Sequence, residues 1–225
     1  MKIIHVVDTE TTGFPTDPDS HVVEIAIVTI MVGRGIVSSF SSLMKPPKIT
    51  PEGVEVCRKV SKIEPDMLDS APAPADVWRQ ARSIIEGWGG SVTAWNLGFD
   101  RTMLRRTCMG LDEVEAIRKN GEVCWLSASE SKYGWPEVVP MEADPTPWGR
   151  CAMWWYASVC PEVRGKHQIP FSETWRNNPW RLSNAAEREQ VPFLGDAHRA
   201  LADATVTASL IHKIITEGVC VTSPS

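Results

Sequence analysis

The chain has 225 residues, with 23 lysines and arginines against 28 aspartates and glutamates, and therefore a formal net charge of −5. This length favours one domain over two small ones. An apolar content of 43% is enough for a buried core and excludes a wholly disordered chain. The acidic balance excludes a protein that coats polyanions over its whole surface, so any contact with nucleic acid is expected at one local site where metal ions offset clustered carboxylates.

Targeting and redox signals are weak. The longest apolar run, residues 22–32, includes Glu24 and is shorter than the roughly 20 residues needed to cross a bilayer, so no membrane span is predicted. Residues 1–7 lack the apolar stretch and cleavage site of a secretory signal, which predicts a cytoplasmic location. The six cysteines include no C-x-x-C pair, which favours reduced thiols.

Three strands are predicted near the start of the chain. The β-branched run over residues 3–7 predicts a core strand that delivers Asp8 at its end. Val22–Met31, which is apolar apart from Glu24, and residues 36–43 predict a second and a third strand joined by a Gly-Arg-Gly turn. Tight turns between successive strands are typical of an antiparallel meander.

Helical segments follow the third strand. Ser61 and Glu64 have the spacing of a capping box and predict a short helix near Pro65. Asp76 is predicted to cap an amphipathic helix that continues to Trp88, where two glycines end it.

A fourth strand and further helices complete the pattern. Residues 91–95 predict the strand, and Asn96 is expected to cap the helix that follows it. Apolar helical segments are predicted around Trp154, over Leu182–Arg188 and over Ala200–Glu217.

Residues 110–150 differ in character, since they are acidic and proline-rich and show little periodicity beyond a short helix over residues 112–119. We interpret them as a surface insertion in a single domain that covers residues 1–225. Its tryptophans are candidates for stacking on bases, with packing as the alternative; they are Trp125, Trp135 and Trp148.

Asp8 and Glu10 are candidate metal ligands. Residues two apart on a strand face the same side, so both carboxylates project together and repel unless a cation lies between them. Because Asp-x-Glu alone is common, a pair of solvated turn acids is the alternative. The hydrophobic strand before the pair and the small residues Thr11-Thr12-Gly13 after it favour a ligand site.

Two later acids and a histidine complete the candidate set. Asp100 falls in the first turn of the helix after Asn96, where the helix dipole keeps a carboxylate ionised, although such acids are commonly caps. On an ideal helix His198 and Asp203 would point roughly 140° apart, so we expect Asp203 on the last helix and His198 on the loop before it. A loop histidine suits a general base, whereas alone it would be an ordinary surface residue. Four carboxylates and a histidine suit two divalent cations roughly 3.5 to 4 Å apart in an in-line phosphoryl displacement.

Three segments resemble the motifs of the DnaQ-like, or DEDD, 3'-to-5' exonuclease superfamily in its histidine (DEDDh) variety. In chain order they are Asp8-Thr9-Glu10-Thr11-Thr12-Gly13, Asn96-Leu97-Gly98-Phe99-Asp100 and His198-Arg199-Ala200-Leu201-Ala202-Asp203. The likeness covers roughly residues 1–215 and leaves residues 110–150 outside it. Within the superfamily the chain resembles the exodeoxyribonuclease X family in particular, through Lys45-Pro46-Pro47 and Ile49-Thr50-Pro51.

The resemblance implies a ribonuclease H-like α/β fold, in which helices flank a five-stranded mixed sheet. It also implies two Mg²⁺ or Mn²⁺ ions, with Asp8 shared between them, Glu10 and Asp203 on the water-activating ion and Asp100 on the second. His198 would take the proton from the attacking water.

The same resemblance implies where the substrate binds. The backbone at Thr11 would hold the terminal 3'-hydroxyl, Phe14 would act as an apolar wedge against terminal bases, and Asn96 lies in the second motif. A core plug is the alternative for Phe14.

Basic side chains are candidates for phosphate contacts, with solvated surface charge as the alternative; they are Arg101, Arg105, Arg106, Arg164 and Lys166.

The function predicted from these features is a two-metal-dependent 3'-to-5' exodeoxyribonuclease that releases nucleoside monophosphates from single- or double-stranded DNA ends. One alternative is the same chemistry on RNA, which needs contacts to the 2'-hydroxyl. The other is an inactive exonuclease-like module that binds a protein partner through the insertion at residues 110–150. Every implied metal-ligand position carries a carboxylate, which favours an enzyme.

Overall fold

A computed structural model of the chain describes residues 1–111, 144–160, 180–193 and 198–218. Within these ranges the chain forms one mixed β-sheet with helices on both faces. Several predictions lie outside the described residues, namely the helix over 112–119, most of the insertion, Trp125, Trp135, Arg164 and Lys166. No helix in the described part of the chain combines the length and the apolar character needed to cross a membrane.

The sheet confirms the predicted meander and its mixed character. Its strands are β1 (Ile3–Thr11), β2 (Val22–Met31), β3 (Gly35–Leu43) and β4 (Ser91–Thr93), in the spatial order β3-β2-β1-β4. The pairs β1–β2 and β2–β3 are antiparallel, whereas β4 runs parallel to β1. Because β1 is longer than predicted, the two acids of the first motif lie inside this strand rather than after its end.

The predicted fifth strand is corrected, since the described residues form four strands. Beside β4, Val92 N–H donates to Pro147 O at 2.9 Å and Gly149 N–H donates to Val92 O at 2.7 Å, which makes a single parallel bridge at Trp148. Proline has no N–H to donate to a ladder. With Pro145 and Pro147 in this segment, the pairing cannot extend as a regular ladder on the N-terminal side of Trp148.

Seven helices occur among the described residues: α1 (Pro51–Val56), α2 (Pro65–Asp69), α3 (Pro74–Trp88), α4 (Leu97–Leu104), α5 (Ala152–Val159), α6 (Leu182–Arg188) and α7 (Ala200–Glu217). The bounds of α6 and α7 agree with the sequence prediction. Two of the helices continue as π-helical turns, α1 over Cys57–Ser61 and α4 over Arg105–Met109.

Two predicted helix caps are wrong. The N-cap of α2 is Glu64 rather than Ser61. Ser61 is the last residue of the preceding π-helical turn. Helix α3 begins at Pro74, so Asp76 lies in its first turn instead of capping it. Proline suits the first helical position, because its φ angle is preset and its missing N–H would have no partner there. Asn96 does occupy the N-cap of α4, although its side chain makes no capping hydrogen bond.

The two faces of the sheet support separate apolar cores. Successive side chains of a strand point to opposite faces. Val6 packs in one core with Ala204 of α7, whereas Val7 packs in the other with Val77 of α3 and Met103 of α4. The sheet is therefore the middle layer between two layers of helices, and α7 reaches the same part of the sheet as the acidic residues of β1.

Candidate active site

Three carboxylates meet where β1 and α7 come together. Asp8 and Glu10 lie two residues apart on β1, and Asp203 lies in the first turn of α7. One carboxylate oxygen of each lies within 4.8 Å of the others. These atoms are close enough to share one cation, and they form the one cluster of three or more potential metal-ligating side chains within residues 1–111, 144–160, 180–193 and 198–218.

Asp100 lies beside this cluster on the first turn of α4. It is only 4% exposed, and its Oδ1 accepts a hydrogen bond of 2.7 Å from the Thr9 hydroxyl. Its charge raises the pKa of Asp8, which places it within electrostatic reach of the trio. The hydroxyl of Thr9 therefore orients the fourth carboxylate toward the strand that carries the first two.

The electrostatics of the site call for a cation. Burial raises the pKa of Asp8 well above its usual range, and the neighbouring carboxylates raise it further. Burial likewise raises the pKa of Glu10 to about 7, the pKa of Asp100 to about 7, and the pKa of Asp203 above its usual value. The metal-free cluster therefore retains protons that a divalent cation would displace.

A buried atom in the cluster shows that the donor set fits a hard cation. Asp203 Oδ1 is buried and has no hydrogen-bond partner among the described residues. A buried carboxylate oxygen without a partner is costly. Because Mg²⁺ and Mn²⁺ prefer carboxylate oxygens, such an ion would satisfy this atom.

His198 lies on the loop before α7, as expected from its angular separation from Asp203. Its side chain is exposed, and its φ of 63° is in the left-handed region that few non-glycine residues adopt. The charge and the backbone N–H of His198 both lower the pKa of Asp203, so His198 lies beside the carboxylate cluster.

The predicted substrate residues lie around this cluster. Phe14 is 67% exposed and contacts Phe99 edge to face, with ring centroids 6.5 Å apart. A core plug is therefore excluded for Phe14. Thr11 is half-buried and donates to Gly13 O at 2.8 Å, and Asn96 is half-buried at the start of α4.

Two of the candidate phosphate contacts are wrong. Arg105 is fully buried, and its Nε donates to Asp144 Oδ2 at 2.5 Å. Arg106 is buried and donates to the carbonyl oxygens of Pro15 at 2.5 Å and of Asp17 at 2.7 Å. Both side chains therefore make buried contacts within the protein, and those of Arg106 stabilise the loop that carries Phe14. Arg101 is also buried.

Trp148 packs rather than forming an exposed stacking platform. Its ring stacks on Trp78 with centroids 6.2 Å apart and an interplanar angle of 9°. Its Nε1 donates to Asp144 Oδ2 at 2.7 Å. The bases of a nucleic acid would have to displace this packing to reach its face.

Sequence reasoning missed two residues that support the site. The Ser61 hydroxyl donates a short hydrogen bond to Glu10 Oε2, from 51 positions along the chain. Glu24 lies opposite Glu10 in the β1–β2 register and binds Arg199. A buried acid in an otherwise apolar strand was a signal for Glu24, whereas the sequence contains no comparable signal for Ser61.

Comparisons with known proteins show which family this chain belongs to. The model of the RNase_T exonuclease family matches residues 5–117, which is half of the chain. An uncharacterised exonuclease, CP81, of Escherichia phage 186 is 26% identical over 212 residues. The alignment covers 94% of this chain and 88% of the phage protein. A DNA polymerase III subunit epsilon-like protein of Rhodobacter capsulatus is 37% identical over 103 residues. That alignment takes 45% of this chain and spans only 14% of the relative.

Solved structures agree on the fold. The nuclease domain of 3'hExo, a DEDDh family member bound to rAMP, aligns with a TM-score of 0.60 and 13% identity over 100% of this chain and 98% of its own. E. coli exonuclease I in complex with a dT13 oligonucleotide aligns with a TM-score of 0.59 and 14% identity over 96% of this chain and 41% of its own. The particular likeness to exodeoxyribonuclease X stays a prediction. The chain has the ribonuclease H-like fold of the DnaQ-like exonucleases and belongs to the RNase_T exonuclease family.

Proposed function

We propose that this chain is a metal-dependent 3'-to-5' exonuclease, built as a single domain, that removes nucleoside monophosphates from DNA ends. The observation that carries the proposal is the cluster of Asp8, Glu10 and Asp203, in which one carboxylate oxygen of each residue lies within 4.8 Å of the others. In the same cluster Asp203 Oδ1 is buried and has no hydrogen-bond partner among the described residues. Family membership supports the same reaction class.

The carboxylates would hold two divalent cations, Mg²⁺ or Mn²⁺. Asp8, Glu10 and Asp203 would hold the first, and Asp8 together with Asp100 would hold the second. When bound, such a pair lowers the pKa of water and neutralises the charge on the attacking and leaving oxygens of a phosphodiester.

Side chains of the protein prepare this site before substrate binds. The Thr9 hydroxyl holds Asp100, and the Ser61 hydroxyl holds Glu10, so both carboxylates are oriented in advance. Preorganised ligands need no rearrangement when the reaction begins. His198, on its exposed loop, would accept the proton of the attacking water and release it to solvent.

The substrate end would lie along the loop after β1. Phe14 would stack on or wedge against terminal bases, since it is 67% exposed and its loop is braced by Arg106. The backbone at Thr11 would meet the terminal 3'-hydroxyl, and Asn96 would border the same end. These roles are proposed from the resemblance together with the position of the residues around the carboxylates.

DNA is the proposed substrate. The similarity to a DNA polymerase III subunit epsilon-like protein supports this choice. RNA is the alternative, because one solved DEDDh structure is bound to rAMP. An inactive binding module is disfavoured by a complete set of carboxylates with raised pKa values.

Digestion of 5'-labelled oligonucleotides tests the proposal. Single-stranded DNA, duplex DNA and RNA of one sequence are incubated with Mg²⁺, with EDTA, and with the Asp8→Ala variant. We expect a metal-dependent ladder that shortens from the 3' end, fastest on DNA and absent with Asp8→Ala. Faster shortening of RNA than of DNA would favour RNA as the substrate, and no cleavage of any substrate would refute the proposed exonuclease activity.

A further inference from the structure

Glu24 is a buried carboxylate that is not part of the metal cluster. It is 3% exposed and lies on β2, directly opposite Glu10 of β1. Its carboxylate accepts three hydrogen bonds: from Arg199 Nε at 3.0 Å, from Arg199 Nη2 at 2.7 Å and from Ala200 N–H at 3.1 Å. We call this pair the Glu24–Arg199 clamp. Its two side chains are 175 positions apart in sequence, so it joins two distant parts of the chain.

The clamp holds the junction between the His198 loop and α7. Arg199 follows His198 directly and is the N-cap residue of α7, and its carbonyl oxygen accepts the N–H of Asp203 at 3.1 Å. Ala200 N–H is one of the donors that a helix start leaves without an intrahelical partner, and Glu24 satisfies it. The same carboxylate therefore secures the residue after His198 and the first turn that carries Asp203.

The geometry of the clamp is more specific than an attraction between charges. A guanidinium presents two parallel N–H groups that match the two oxygens of a carboxylate, which fixes orientation as well as distance. Lysine would keep the charge but lose this fork. Because Glu24 is buried whereas Arg199 is 34% exposed, the carboxylate depends on its partner more than the arginine does.

An orientation fixed at this point matters for the neighbouring histidine. Consecutive Cα atoms are about 3.8 Å apart, so the backbone of His198 cannot move far while Arg199 is held. The left-handed φ of 63° at His198 shows that its backbone is set in an uncommon conformation, which surrounding contacts must maintain. The clamp is one such contact, and it acts on the residue next to His198.

We propose that Glu24 and Arg199 are positioning residues for the exonuclease reaction, holding the backbone of His198 beside the sheet so that its imidazole faces the carboxylate cluster. This inference rests on the proposed function and deepens it. The clamp does not touch substrate. Asp203 is also held by the helix that carries it, through the hydrogen bond from its N–H to the Arg199 carbonyl, so the clamp acts mainly through His198. Its loss should lower the turnover rate while leaving substrate binding nearly unchanged.

The test is a double-mutant cycle. Glu24→Gln and Arg199→Lys are each made in the wild-type chain and in the His198→Ala chain, and kcat and KM are measured on the DNA that the wild type cleaves best. Asp144→Asn is the matched control, because it disrupts a different buried ion pair, with Arg105, that contacts neither Glu24 nor Arg199. Melting temperatures and circular dichroism establish that each variant is folded at the assay temperature.

We expect each clamp variant to lower kcat by about 10- to 100-fold, with KM changed by less than about threefold, because misplacing a catalytic group mainly affects the transition state. In the His198→Ala background the same substitutions should lower kcat by less than about threefold, since the group they position is already gone. Asp144→Asn should lower the melting temperature and leave kcat of the folded fraction unchanged. An equal loss in both backgrounds would show a general structural role and overturn the inference, as would an unchanged kcat.

A second readout does not depend on activity. Amide hydrogen exchange of the metal-free protein should become faster over residues 198–203 in Glu24→Gln than in the wild type, and unchanged there in Glu86→Gln, which breaks only an exposed ion pair with Arg82. Unchanged exchange in Glu24→Gln would contradict docking by the clamp. If the wild type cleaves no substrate, the proposed function fails, while the exchange measurement still decides whether the clamp holds the loop.

Discussion

Replacing Glu10 by glutamine should remove a pH-dependent loss of stability from the metal-free protein. Burial raises the pKa of Glu10 from 4.5 to about 7 despite the hydrogen bond from Ser61, with Asp203 and Glu24 adding to the shift. The folded state therefore holds a proton that the unfolded chain has already released. The free energy of unfolding consequently falls as the pH rises toward the folded pKa and levels off above it.

The magnitude follows from the two pKa values. A carboxyl group with pKa 4.5 unfolded and about 7 folded lowers the free energy of unfolding by about 2.5 kcal/mol between pH 5 and pH 8. Glutamine has no proton to release, so Glu10→Gln lacks this loss. For a domain of this size the difference corresponds to about 5–10 °C in melting temperature. Between pH 5 and pH 8 the melting temperature of Glu10→Gln, relative to that of the wild type, should therefore rise by about 5–10 °C.

Scanning calorimetry in EDTA at several pH values from 5 to 8 measures the effect. Glu86→Gln on the exposed face of α3, which breaks a surface ion pair with Arg82, is the control and should follow the wild type at every pH. Saturating Mn²⁺ should reverse the ranking at pH 8, because a ligand at a hundred times its Kd adds about 2.7 kcal/mol to a chain that can bind it. Parallel curves for wild type and Glu10→Gln in EDTA would refute the electrostatic account of the cluster.

Three further outcomes follow from the contacts around the site. Ser61→Ala removes a hydrogen bond that lowers the pKa of Glu10. Mn²⁺ binding at pH 7, measured by calorimetric titration, should therefore weaken by about 10- to 100-fold and recover as the pH rises, whereas a pH-independent affinity would contradict this explanation. Phe14→Ala should leave the melting temperature unchanged, because the side chain is exposed, and raise KM for DNA about 5- to 100-fold in steady-state assays, whereas an unchanged KM would exclude stacking. Asp144→Asn leaves the buried Arg105 without its counter-charge and should cost about 3–5 kcal/mol in denaturant unfolding, a loss that a surface pair would not show.

Patterns of local origin could be predicted from the sequence. The bounds of β2, α6 and α7 agree with the sequence because apolar periodicity and flanking turns determine them together. The positions of His198 and Asp203 followed from helix geometry alone, since their angular separation excludes a shared helical face. Local spacing therefore identified the elements and most of the acids.

Contacts between distant segments could not be predicted. Arg105 and Arg106 look like surface charges on a helix, yet the structure buries them against Asp144 and against carbonyl oxygens of the Phe14 loop. Ser61 has the spacing of a helix cap, but its hydroxyl is used by Glu10 instead. In each case tertiary packing supplied a partner that no short-range pattern contains.

The fate of the terminal nucleotide tests the central claim most directly. A DNA strand is labelled only in its 3'-terminal nucleotide, and the labelled products are separated after brief incubation with Mg²⁺ and either the wild type or Asp203→Asn. We expect the label to leave first as a nucleoside monophosphate, EDTA to prevent this release, and Asp203→Asn to abolish it. Label that stays in oligonucleotides while the strand is cut, or release that survives in Asp203→Asn, would contradict an exonuclease centred on this carboxylate cluster.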